Sequence, residues 1–244
     1  MAAPVRAALM ITCLGDMFFP EVGVAMVRLL RGLGVEVEFP EGQTCCGMPL
    51  FNSGYHHDAA LVAARTVKLF ERAEHVVVPS GSCAWMVKTE SPGLLKHDPA
   101  LRAAAESLAR RTRELSQFLV EVLGVSRVDS PFEGRVTYHD SCHLLRGIGV
   151  KEQPRRLLRR VSGLELVEMK DSDYCCGFGG AFAIKYPDIS GAMVYDKVDK
   201  IVASGVDTVV GCDTGCLLNI AGAVSRRGLP IKTMHIAEIL AHRK

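Results

Sequence analysis

No stretch of this 244-residue chain approaches the roughly 18 apolar residues in a row that a membrane-crossing helix requires. Neither sign of charge dominates. The 29 lysines and arginines stand against 27 aspartates and glutamates, and a net charge of +2 gives no general attraction for nucleic acid or an anionic membrane. Any charged partner must be met locally. The chain lacks the G-x-G-x-x-G spacing of a dinucleotide fingerprint, and its first half lacks the short C-x2-4-C knuckles of ordinary structural zinc sites. Disorder is excluded by composition, since 48% of residues are hydrophobic and 23% charged, enough for one large core or two small ones. The early segment "RAALMITCLG" is apolar over too short a run for an export leader and reads as a first β-strand.

Cysteine is abundant instead, at nine residues. Disulfide frameworks belong mostly to short secreted chains with small cores, so a cytoplasmic protein with thiols given to metal or redox work is expected. The cysteines are written twice. Cys13, the Cys45-Cys46-Gly47 triplet and Cys83 in the first half are matched by Cys142, Cys175-Cys176-Gly177, and then Cys212 and Cys216. The first interval is 32 residues in one half and 33 in the other. From the pair onward, 37 residues to Cys83 compare with 36 to Cys212 or 40 to Cys216. Spacing favours Cys212, whereas the likeness of "HVVVPSGSCAWM" to "TVVGCDTGCLLN" favours Cys216.

The elements repeat with the thiols. "RAALMITC", "VEVEFP" and "HVVVPSG" read as strands, separated by the helical periods of "PEVGVAMVRLLRGLG" and "HHDAALVAARTVKLFERA". The second half gives "RVTYHD", "QPRRLLRRVSG", "LELVEM", "PDISGAMVYDKVDKIVASG" and "TVVGCD" in the same order. The expected fold is α/β, two tandem pseudo-repeated Rossmann-like β-α-β-α-β modules with parallel sheets. The first module spans 1–97, a bridging helix (about Asp98 to Gly124) and linker occupy 98–134, and the second module spans 135–244.

On this scaffold every cysteine group follows a strand, at the carboxyl edge where open parallel sheets bind ligands. Gly47 and Gly177 let adjacent thiols turn toward one object, because glycine reaches positive φ at little cost. Adjacent thiolates suit a multi-iron group, in which each sulfur takes a different metal atom. The expected cofactor is an iron–sulfur cluster of the [4Fe-4S] type, one or two per chain, with zinc as the alternative at one site. Gly177, Gly179 and Gly180 in "CCGFGGAF" would offer N–H donors to sulfur. Around Cys142, His139, Asp140, His143 and Arg146 in "YHDSCHLLR" read first as hydrogen-bonding support for the site. If a substrate binds here, His139 and His143 are candidates for proton transfer and Arg146 for a carboxylate. His56 and His57 read as solvated. "RRLLRR" at 155–160 reads as an exposed helix face, and Trp85 and Tyr55 as core packing near the ligands.

At "PSGSCAWM", "YHDSCHLLRG", "CCGFGGAFA" and "GCDTGCLLNI" the chain resembles the cysteine-rich CCG iron–sulfur oxidoreductase family, over nearly its whole length. Two such modules in tandem occur in the cysteine-rich component of heterodisulfide reductase and in the iron–sulfur component of glycolate oxidase; the likeness here is to the lactate-utilization subgroup. The resemblance implies cytoplasmic electron transfer in the oxidation of L-lactate to pyruvate, beside the companion lactate utilization proteins B and C. One departure bears on chemistry. The broad family pattern ends each module in C-x-x-C, but Ala84, Trp85 and Met86 follow Cys83, and Cys212 and Cys216 stand at a different interval. Thiol–disulfide chemistry of the heterodisulfide type is therefore disfavoured. The ligand set implied is Cys13, Cys45, Cys46 and Cys83 for one centre, and Cys142, Cys175, Cys176 and Cys216 for the other, with Cys212 in reserve. The rival expectation is a non-catalytic scaffold holding zinc.

Overall fold

The computed structural model describes residues 3–242. The first half runs β1 (Arg6–Leu9), α1 (Cys13–Phe18), α2 (Pro20–Gly32), β2 (Glu36–Glu38), α3 (Met48–Asn52), α4 (His56–Leu69), β3 (His75–Val78), α5 (Gly81–Trp85), α6 (Ser91–Leu94), α7 (Pro99–Arg111), β4 (Thr112–Glu114) and α8 (Leu115–Gln117). The second half runs β5 (Pro131–His139), α9 (Glu152–Leu158), β6 (Ser162–Leu166), α10 (Ala181–Lys185), α11 (Pro187–Ala203), β7 (Thr208–Gly211), α12 (Thr214–Arg226), β8 (Lys232–His235) and α13 (Ile236–Leu240). Two four-stranded, wholly parallel sheets result, in the orders β2-β1-β3-β4 and β6-β5-β7-β8. The chain is an α/β protein of two tandem Rossmann-like modules.

Strand periodicity assigns the layers. Ala7, Leu9 and Val77 face one apolar cluster, while Ala8, Met10, Val76 and Val78 face another on the opposite side of the first sheet. In the second sheet Val136, Tyr138 and Val210 point into the first of these clusters and Val209 into a third. The two sheets therefore share one interior. It is filled by α2 (Met26, Leu29, Leu30), the segment Leu115–Leu119, α9 (Leu157, Leu158) and α13 (Ile236, Ile239, Leu240). α2 shows how sequence makes such a layer. Pro20 opens it at a position where its missing N–H costs nothing, apolar residues recur every three or four, and Gly34 at φ +80° ends it. Each fully buried aliphatic side chain contributes about 1.5–3 kcal/mol, so this face holds α2 in place.

The segment expected as one bridging helix is different. α7 stops at Arg111, and Thr112–Glu114 forms β4, pairing Val76 with Thr112 and Val78 with Glu114. The outer edge of β3 would otherwise leave backbone groups unpaired, and a three-residue stretch satisfies them. Thr112 Oγ1 donates to Leu108 O at 2.9 Å as the helix ends, and Glu114 caps α8 by accepting from Ser116 N at 2.8 Å and Gln117 N at 3.2 Å. β8 is its counterpart in the second module. Each module thus has four strands, not three, and the first reaches past residue 97. Among the described residues no helix is long and apolar enough to cross a membrane.

Candidate metal centre at the junction of the modules

In each sheet the chain moves from β1 to β2 on one side and then to β3 on the other, and likewise from β5 to β6 and then β7. That reversal opens a crevice at the carboxyl ends of the central strands. Cys13 opens α1 just after β1, Cys45 and Cys46 lie in the loop after β2, and Cys83 sits in α5 after β3. Cys142, Cys175 and Cys176, and Cys216 follow β5, β6 and β7 in the same way. Caps fix these entries. Thr12 Oγ1 accepts from Gly15 N at 3.1 Å, Ser80 Oγ from Cys83 N at 3.4 Å, and Asp213 Oδ1 from Gly215 N at 3.1 Å and Cys216 N at 3.4 Å.

Two quartets of free thiols form. Cys45 neighbours Cys13 and Cys46, and Cys46 neighbours Cys83; Cys175 stands in the same relation to Cys142 and Cys176, and Cys176 to Cys216. The turn between adjacent thiols depends on Gly47 at φ +91° and Gly177 at φ +80°. A Cβ on Gly177 would stand 2.7 Å from Ser190 O in α11. Each glycine donates its N–H to the sulfur two residues back, Gly47 to Cys45 at 3.5 Å and Gly177 to Cys175 at 3.3 Å. Gly179 and Gly180 line the cavity beside them but take positive φ at the start of α10.

The charge distribution is the same in both. S–H donation from Cys13, then Cys46, holds the Cys45 thiol far below its ordinary range; Cys142, then Cys176, does this for Cys175. The donors Cys13, Cys46, Cys142 and Cys176 are pushed up by these bonds and by burial. One negative charge is easily accepted at each quartet, and further ionisation is resisted. A bound cation supplies the compensation that further thiolates need. The donor set therefore fits a metal ion or an iron–sulfur group.

Both quartets face a single cavity of about 500 Å³, whose other walls include Met48, Phe178 and Ile184. No lysine or arginine lines it among the described residues. His143 does line it, with its Nδ1 3.8 Å from Cys142 Sγ and its ring 4.6 Å from that of Trp85, across the module boundary. Arg146, a candidate for a substrate carboxylate, is exposed and donates to Asp173 O at 2.7 Å, outside the cavity. His139 ends β5 beside the second quartet, and burial lowers its pKa to about 4. His56 is exposed and stacks on Phe51 at 5.1 Å, and His57 and Tyr55 are exposed.

Three expectations change. Tyr55, expected as core packing, is 59% exposed and turned to solvent. Cys212 is not in a quartet: it lies in the shared interior in contact with Glu114 and Tyr138, while Cys216 takes the position matching Cys83. The context match was the sounder signal, since Cys212 aligns with Pro79 and spacing alone cannot register a change in loop length. Arg155, expected on an exposed face, is 3% exposed. It forks onto Asp140 at 2.8 and 2.7 Å and reaches Glu168 at 2.9 Å. With Lys197, whose Nζ donates to Asp171 O at 2.8 Å, it fixes the loop that carries Cys175.

The modules are pinned beside the thiols. Asp213 Oδ2 accepts from Ser80 Oγ at 3.1 Å and from Ser82 N at 2.8 Å, and Gly81 N donates to Cys212 O at 3.1 Å. His235 Nδ1 accepts from Ala237 N, so its Nε2 carries the proton and donates to Pro79 O at 3.0 Å. A Cβ on Gly81 would meet Leu144 Cβ at 2.5 Å.

Duplicated four-strand modules with a thiol quartet at each switch point define a class of cysteine-rich proteins. The sequence model of the cysteine-rich domain, CCG, matches residues 7–88 and 136–221, and the chain belongs to that family. It is 49% identical over 239 residues to Lactate utilization protein A of Halalkalibacterium halodurans, covering 98% of each chain. It is 50% identical over 235 residues to the protein of the same name from Geobacillus kaustophilus, covering 96% of this chain and 98% of that one. The crystal structure of a hypothetical protein from Helicobacter pylori shares the fold, with a TM-score of 0.72 at 10% identity over all of this chain and 50% of that one.

Proposed function

We propose that this chain is an iron–sulfur electron-transfer subunit of an L-lactate-oxidising system, acting with lactate utilization proteins B and C. The observation that carries the reading is the pair of thiol quartets facing one cavity with no lysine or arginine among the described residues of its wall. Among the described residues a hydroxy acid carboxylate meets no arginine or lysine there, which favours removal of hydride from substrate on a partner. Cys13, Cys45, Cys46 and Cys83 would hold one centre, and Cys142, Cys175, Cys176 and Cys216 the other. An iron–sulfur group, when bound, supplies one-electron storage. The chain's own part is to neutralise and shelter it. Gly47 and Gly177 direct N–H groups at sulfur, a lever on reduction potential, and Met48 and Phe178 give the cavity apolar wall beside the thiols. The lactate utilization names of the two relatives support the lactate role. Separation of Cys212 from both quartets counts against thiol–disulfide exchange.

The test is metal and acid-labile sulfide content, with EPR, on protein purified without oxygen. Iron and sulfide in equal amounts with a reducible signal, halved in Cys45→Ser and again in Cys175→Ser, is the expected result. Zinc without sulfide would sink the electron-transfer reading in favour of a scaffold.

A further inference from the structure

The second quartet is met by a donor that the first lacks. His139 is 1% exposed, yet neither ring nitrogen has a hydrogen-bond partner. Leaving a buried polar atom unpaired is costly, and native interiors rarely tolerate it without a reason. A ring nitrogen of His139 and the sulfurs of Cys176 and Cys216 all lie within 4.8 Å of one another. The repeat sharpens the contrast. Matching Cys142 to Cys13 sets His139 on Met10, which packs in an apolar cluster with Cys46 and Cys83.

Metal–sulfur and metal–nitrogen bonds of about 2.3 and 2.0–2.1 Å around a tetrahedral ion put donor atoms roughly 3.5–3.8 Å apart. The three donors reach that separation with side-chain shifts of about 1 Å, well within rotamer adjustment. The support role expected of this residue, hydrogen bonding within the protein, is not filled, since neither ring nitrogen is bonded among the described residues.

We infer that His139 is a metal ligand of the second centre, alongside Cys176 and Cys216, so that one module holds an all-sulfur site and the other a mixed nitrogen–sulfur site. This rests on the reading that the quartets hold metal. One of the four thiols of the second quartet is then released as an exchangeable ligand. A neutral imidazole in place of a thiolate leaves the centre one unit less negative, and histidine ligation raises reduction potential where it replaces cysteine. The second centre is the electron sink of the pair.

The experiment uses the full-length chain carrying Cys45→Ser, which disables the first site, labelled with 15N-histidine and loaded with Co²⁺ alone. Pulsed EPR of the cobalt protein is expected to show a directly bonded imidazole nitrogen that persists in His143→Ala and vanishes in His139→Met. Cobalt affinity in His139→Met should fall at least tenfold, since loss of even an outer partner of a metal ligand costs 10–100-fold. Methionine reproduces the first module's residue, and unchanged Trp85 emission verifies its fold. Cobalt bound with undiminished affinity in His139→Met, or with no imidazole nitrogen in the unsubstituted histidine background, overturns the assignment while leaving metal binding intact. Failure of cobalt to bind at all overturns both the assignment and the reading beneath it.

Discussion

Replacing Asp213 by alanine tests how far the modules depend on one carboxylate. Asp213 is 4% exposed and accepts four hydrogen bonds, two within its own module at the start of α12 and two from Ser80 and Ser82 of the other. Loss of a helix cap to alanine costs about 1 kcal/mol. Each hydrogen bond to a charged acceptor contributes about 1.5–3 kcal/mol net, and stranding the Ser82 N–H in the junction adds to the loss. Relief from burying a charge offsets part of this, leaving an expected destabilisation of about 4 kcal/mol. Asp213→Asn retains the shape and one acceptor oxygen, so about half of that is expected. The assay is urea unfolding of the metal-free protein followed by the fluorescence of Trp85, the chain's one tryptophan, which touches His143 across the junction. A Ser80→Ala background should reduce the Asp213→Ala effect, as residues sharing a bond are not additive. A loss below about 1 kcal/mol, or equal losses for alanine and asparagine, would refute the view that this carboxylate joins the modules.

Cys212→Ser should leave metal content unchanged while Cys216→Ser removes the second centre, as read by metal analysis of the two variants. Gly177→Ala, which sets a Cβ 2.7 Å from Ser190 O at φ +80°, should cost about 1–3 kcal/mol and lose second-site metal selectively. Gly47→Ala meets no atom closer than 3.6 Å and should be milder, a contrast that metal stoichiometry will reveal. Glu114 is fully buried, and burial pushes its carboxyl up to about 7 from an ordinary 4.5. The protonated acid stabilises the fold fully below the unfolded value, and this is lost as pH rises through the folded one. Relative to Glu114→Gln, metal-free protein should lose about 3 kcal/mol between those two pH values, measured by urea midpoints; parallel profiles would refute it.

The strands were legible because buried parallel strands are short apolar runs, as in "HVVV" and "TVVG", and the Cys positions were legible because each follows such a run. β4 and β8 were not. "TRE" and "KTMH" carry no apolar signature and are strands only because a neighbouring edge needs partners. Arg155 reads as one of four arginines on a helix, and nothing local distinguishes the one that meets Asp140, fifteen residues earlier. The likeness of Cys83 to Cys216 was written in the residues around them, but its competitor was removed only by tertiary structure. The isolation of His139 is wholly tertiary, since a sequence lists what a side chain is and not what fails to approach it.

The interior shared by the two sheets has a consequence for how the chain is divided. Leu115 and Phe118 from one half lie in the same cluster as Tyr138, Leu157 and Ile236 from the other. A cut in the loop 124–130 would sever nothing but backbone, yet each fragment would keep a raw apolar face that its twin was shaped to cover. Expressed singly, the fragments should aggregate; refolded together, they should complement one another as a heterodimer. The repeated module here makes something closer to a molecule and its lid than to two beads on a string.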